Sequence, residues 1–159
     1  MKQEDDIYHL GDFAFASNGY IENVLRRLNG HKHLILGNHD RKTMKGSILS
    51  WFEHVEHYME LRIPDEEMDH EQMIVMCHYA FEVWNKRHFG SWCLYGHSHG
   101  TLKDRDDQAR YDVGVDNNKF TPVSYEEIKR IMTKKVFKPL DHHTKKKEDN
   151  MLFVPNVGF

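Results

Sequence analysis

Four short polar segments hold most of the side chains in this sequence that could do chemistry. They are Gly11-Asp12, Gly37-Asn38-His39-Asp40, His78 and Gly96-His97-Ser98-His99-Gly100. Together they offer carboxylate, carboxamide and imidazole groups, the hard and borderline donors that suit divalent transition metals. Glycines at 11, 37, 96 and 100 permit the tight turns and close backbone approach that a loop folded around an ion requires. Each feature alone is weak, because Asp after Gly is a common turn and a lone histidine is more often a packed core or surface residue. All four segments, however, come directly after an apolar run, which predicts a metal site gathered along one sheet edge.

The elements that must position these loops can be read from the pattern. Ile7-Tyr8-His9-Leu10 reads as a strand that stops at Gly11-Asp12. Asn18 is placed to cap a helix whose apolar residues Ile21, Val24, Leu25 and Leu28 recur at helical spacing before Asn29-Gly30 ends it. His33 to Leu36 reads as a buried strand. From 54 to 63, Val55, His57, Met59, Leu61 and Ile63 alternate with polar residues, which predicts one strand ended by Pro64. Met73 to Cys77, Trp92 to Tyr95 and Tyr111 to Val115 read as further strands. Ser124-Tyr125-Glu126-Glu127 makes a capping box, with Val123 and Ile128 at staple positions, and opens a C-terminal helix. The fold class expected is α/β, a sandwich of mixed β-sheets flanked by helices, over residues 1–138. A polar tail follows over 139–159.

Composition narrows the function classes. The chain has 159 residues, 39% of them hydrophobic and 30% charged, a soluble globular balance sized for one domain. No apolar run approaches the ~18 residues of a bilayer span. The acidic start, Met1 to Asp6, resembles no signal peptide, so a cytoplasmic protein without a membrane partner is expected. The net charge of −3 does not favour nucleic acid. Basic residues do gather at Lys134, Lys135, Lys138 and Lys145 to Lys147, either as a solvated helix end or as a phosphate-contacting patch. Cys77 and Cys93 lie in apolar runs without metal-ligand spacing and read as reduced core thiols. The 13 histidines are scattered, unlike an affinity tag. Neither a glycine-rich phosphate loop nor a Ser or Cys nucleophile motif is present.

In that order, Gly11-Asp12, Gly37-Asn38-His39-Asp40, His78 and Gly96-His97-Ser98-His99 resemble the signature blocks of the calcineurin-like metallophosphoesterases. Tyr8 to Phe15 and Asp112-Val113-Gly114-Val115-Asp116 are similar to the small bacterial and phage-type branch. The resemblance implies an αββα fold and hydrolysis by a metal-activated water without a covalent intermediate. Asp12 would bridge two ions, with Asn38, His78 and His97 completing the second site and His99 reaching the first. His39 would sit beside the phosphate and assist the leaving oxygen, and Asp40 would orient the His39 ring. The ions implied are divalent, manganese first, with zinc, iron or nickel as alternatives, and one or two of them.

The sequence departs from the family in one respect. The family's first block, Asp-x-His, belongs several dozen residues before Gly11-Asp12, and the eleven residues that precede Asp12 here do not spell it. Asp5 or Asp6 could replace it only from the wrong side of the strand. The expected function is hydrolysis of phosphate esters, most of all phosphodiesters on a small or nucleotide-like substrate. The alternative is a catalytically impaired metal-binding module that holds a ligand or a protein. The absent block also implies an uncovered sheet edge, repaired by a symmetric homodimer or by a tail containing Leu152, Phe153, Val154, Val157 and Phe159.

Overall fold

A computed structural model describes residues 1–67 and 70–136. The first sheet contains β1 (Asp6–His9), β2 (His31–Ile35) and β3 (His54–Glu56) in that order, all parallel. The second sheet contains β4 (Tyr58–Ile63), β5 (Gln72–Cys77), β6 (Trp92–Tyr95) and β7 (Arg110–Asp112), with β4 antiparallel to β5 and the rest parallel. Helices α1 (Asn18–Arg27), α2 (Asp40–Thr43) and α3 (Tyr125–Met132) complete the set of α-helices among the described residues. The architecture is therefore mixed α/β with two sheets, of which only the second mixes strand directions.

Alternation along β2 explains how the layers assemble. Leu34 packs on one face with Ile21 and Leu25 of α1 and with Met44, Ile48 and Phe52. Its neighbour Ile35 points the other way and joins Leu10, Ile74, Met76, Trp92 and Leu94, together with Ile128 and Met132 of α3. One strand residue thus anchors a helix while the next joins the core shared by both sheets, as period-two geometry requires. β5 is buried along its whole length, which is why it reads as an unbroken apolar run. Cys77 and Cys93 are free and buried, and burial pushes the Cys93 thiol up to about 12.

Two local expectations need correcting. Ser17, not Asn18, is the N-cap of α1, and its carbonyl accepts from Tyr20 N and Ile21 N, each at 3.0 Å. The stretch 54–63 is not one strand. The chain bends at an exposed His57, leaves the parallel sheet after Glu56 and enters the edge of the second sheet at Tyr58. The C-terminal helix begins as its capping box dictates, with Ser124 Oγ accepting from Glu127 N at 3.2 Å. Lys129 Nζ then pins it to Asp65 at 2.7 Å. Among the described residues no helix is long and apolar enough to cross a membrane. The tail 139–159, Lys138 and Lys145 to Lys147 lie outside the described residues.

Candidate metal centre

The C-terminal ends of β1, β2, β5 and β6 deliver the four polar loops to one place. His78 sits where the sheets meet: Gly96 N donates to His78 O at 3.1 Å, and the His78 ring reaches across to Leu10 O. That carbonyl, 2.7 Å from Nδ1, can only accept, so Nδ1 carries the proton of the neutral ring and Nε2 is left with its lone pair. Around Nε2 lie Asn38 Oδ1 at 3.0 Å, His97 Nδ1 at 3.2 Å and Asp12 Oδ2 at 3.4 Å. One ligand atom from each of Asp12, His78 and His97 falls within 4.8 Å of the others. His78 is buried and Asp12 nearly so. A carboxylate and two imidazoles held this closely in a poorly solvated place are the kind of donor set that a cation satisfies. The donor set therefore fits a divalent transition metal.

The backbone around these ligands is tightly constrained. Asp12 and His97 hold φ angles of 53° and 60°, a left-handed conformation that non-glycine residues adopt at a cost and that clusters at functional sites. A Cβ at Gly37 would stand 2.6 Å from Asp12 N, and one at Gly11 would stand 2.6 Å from Gly37 N. The loops after β1 and β2 therefore interlock backbone to backbone. Asp40, fully buried, locks them further: its carboxylate accepts from Asp12 N and Gly37 N, each at 2.8 Å, and from Phe13 N at 2.9 Å. The expected role of Asp40, orienting the His39 ring, gives way to this clamp, because both of its oxygens are taken by main-chain donors.

His39 joins the site through its backbone, donating N–H to Asp12 Oδ1 at 2.9 Å, while its exposed ring meets Phe15 at 4.8 Å between centroids. His99 lies apart from the other expected ligands. Its exposed ring pairs with the Asp116 carboxylate, which raises the imidazole pKa. Asp6 is also remote, 2.8 Å from His33 Nε2 at the other end of the first sheet. Lys135, one of the gathered lysines, is tied to Asp104 Oδ1 and, at 2.7 Å, to Arg110 O. It is not free to contact phosphate.

Three residues at the site escaped the sequence reading. His9 Nδ1 is enclosed without a partner. Burial lowers the pKa of its ring to about 4 against the opposing pull of Asp40 and Asp12. Tyr79 lies across the ligand rings, 5.0 Å from His78 and 4.8 Å from His97. Phe15 covers His39. The chain order does place Phe15 and Tyr79 next to signature residues, but nothing in the sequence tells an outward aromatic ring from an inward one. Compared with family models, with curated proteins and with solved structures, this chain matches none.

Proposed function

We propose that this protein is a metal-dependent phosphoesterase of the calcineurin-like type, acting by preference on phosphodiesters. The observation that carries the reading is the meeting of Asp12, Asn38, His78 and His97, delivered by four separate loops, around one imidazole nitrogen, His78 Nε2. Asp12, Asn38, His78 and His97 would hold a divalent ion, manganese first and zinc, iron or nickel as alternatives, which would supply Lewis acidity and lower the pKa of a bound water. The chain's own groups do the rest. Leu10 O fixes the His78 tautomer so that Nε2 faces inward. Asp40 holds the backbone of Asp12 and Gly37 in register. The exposed His39 ring gives a proton to the departing oxygen, a service that a poorly activated diester leaving group needs more than an aryl oxide does.

His99 stands outside the Asp12, His78 and His97 cluster, so one ion has the fuller ligand set, while a second would share Asp12 and draw at most on His99, whose Nδ1 pairs with Asp116. That observation also favours a second reading, a metal-binding module with little turnover. Metal analysis together with turnover of bis(p-nitrophenyl) phosphate and p-nitrophenyl phosphate in manganese separates the two. Diester turnover that is lost with chelator and restored by manganese is the expected result. Tight metal binding without turnover of either ester would leave the binding module.

A further inference from the structure

A cavity of about 460 Å³ lies at the opposite end of the second sheet from the metal loops, where β4 finishes and β5 and β6 begin. Roughly 20 Å of extended chain along β5 separates Gln72, which lines the cavity, from His78. The buried polar groups of its wall are occupied with one another. Gln72 Nε2 donates to Met73 O at 2.8 Å and to Gly90 O at 3.2 Å. Ser91 Oγ donates to Asn85 O at 2.6 Å and accepts from Trp84 Nε1 at 3.0 Å. These bonds tie the loop before β6 to the start of β5, and they leave the charged side chains to meet a ligand. Lys86 holds a φ of 59°, a left-handed conformation that strains a non-glycine residue and recurs at ligand clamps. Its ammonium lies 5.0 Å from the centre of the exposed Phe89 ring and has no carboxylate partner among the described residues. Arg62 reaches Glu71 only at 3.9 Å, and both side chains are more than half exposed, a pairing worth little.

We propose that this cavity is a second binding site, for a small organic monocarboxylate with a flat apolar body. Formal charges decide the valence: Arg62 and Lys86 against Glu71, with His70 counted as neutral, leave the lining with a single positive charge. A monoanion balances it. The Arg62 guanidinium matches a carboxylate in two parallel hydrogen bonds, and the Lys86 ammonium adds a point charge from the facing loop. Phe89 and Met73 supply the apolar surface for the body of the ligand. The volume falls within the range of about 300–1,000 Å³ usual for small-molecule sites and far exceeds what an inorganic ion fills. This site is separate from the metal centre and does not depend on the phosphoesterase reading.

The test is a titration of the isotope-labelled full chain, dialysed free of divalent metal, with benzoate, benzamide and acetate, followed through backbone amide chemical shifts. Benzoate is expected to saturate and to move the amides of Gly90 and Ser91 rather than those of Gly37 and Gly96. Benzamide keeps the ring without the charge, and acetate keeps the charge without the ring; each should bind about tenfold more weakly than benzoate, or weaker still. Lys86→Gln and Arg62→Gln, both at exposed positions, should each weaken benzoate about tenfold. Lys103→Gln, at an exposed position outside the cavity, should leave it unchanged. The proposal is overturned if benzoate does not saturate, if its shifts centre on the metal loops, or if neither Lys86→Gln nor Arg62→Gln weakens it. Benzamide or acetate binding as tightly as benzoate also overturns it, the first by removing the need for the charge and the second by removing the need for the apolar body.

Discussion

Histidines gather both where the strands of the first sheet begin and where they finish beside the second sheet, and the two groups are organised in opposite ways. At the end where the strands begin, His33 and His54 are register partners on β2 and β3, and Asp6 of β1 reaches the His33 ring. Asp6 Oδ1 is 2.8 Å from His33 Nε2, and His33 Nδ1 is 3.1 Å from His54 Nδ1. Each nitrogen faces one partner, so a single chain of donors and acceptors satisfies the buried His33 ring. At the end where the strands finish, Asn38, His97 and Asp12 all face the same nitrogen of His78. Residue types are nearly identical at the two ends. A polar chain gives each nitrogen its own partner, whereas several ligand atoms converging on one nitrogen form a donor set, and only the second arrangement predicts a metal.

The largest effect that can break this contrast is catalytic. His39→Ala is expected to lower turnover of a diester with an alkoxide leaving group by about 10²–10⁴, the range of acid–base groups, with turnover of bis(p-nitrophenyl) phosphate less affected and the metal content unchanged. His54→Ala at the other end should leave turnover as it was. Steady-state kinetics alongside metal analysis checks both, and loss of metal from His39→Ala would show that its ring is a ligand.

Next in size is the clamp beneath the ligands. Asp40→Ala strands the N–H groups of Asp12, Phe13 and Gly37, and leaving buried donors unpaired costs about 1–3 kcal/mol for each group. Urea unfolding should show a loss of about 3 kcal/mol or more, well beyond what His54→Ala costs. If the two variants are equally stable, Asp40 does not hold the loops together.

Ligand-linked stability follows. Manganese at a hundred times its dissociation constant should stabilise the wild type by about 2.7 kcal/mol. His97→Ala should lose most of that gain and His54→Ala should keep it, as read by thermal unfolding with and without the metal.

The smallest effect concerns His9, beside the metal end. Its folded pKa of about 4 lies below the usual histidine value because of burial. Between those two values the unfolded chain binds a proton that the folded chain refuses, so stability must rise with pH through that window and fall as acid is added. The contribution is about 1–3 kcal/mol, and His9→Leu should flatten the slope between pH 4 and 6.5. A slope unchanged in His9→Leu would assign the acid sensitivity to other groups.

Much of this was legible in the sequence because apolar runs and glycines mark strand ends. Trp92–Tyr95 is β6 to the residue, and Met73 to Cys77 misses only Gln72 of β5. Asp12, Asn38, His78 and His97 came together as the strand-then-loop pattern required. The misses have physical causes. Alternation of side chains reports which residues turn inward but not which strand they pair with, so the change of sheet at His57 left no trace. His99 follows His97 by two residues, a spacing that points both side chains the same way where a loop is extended. Both residues instead adopt positive φ, at 60° and 48°, so the loop curls and His99 turns toward Asp116. The resemblance implies that Asp40 orients the His39 ring, and no local pattern reveals its main-chain partners Asp12 N and Phe13 N, 28 and 27 residues away.

The central claim, that the loops at the finishing end of the strands hold a metal, is tested most directly by measuring divalent metal per chain. The protein is loaded with manganese, dialysed stringently and compared with His97→Ala and His54→Ala treated in the same way. The expected result is one ion per chain in the wild type and in His54→Ala, and a marked loss in His97→Ala. No retained ion in the wild type, equal content in all three proteins, or two firmly held ions per chain would contradict the account.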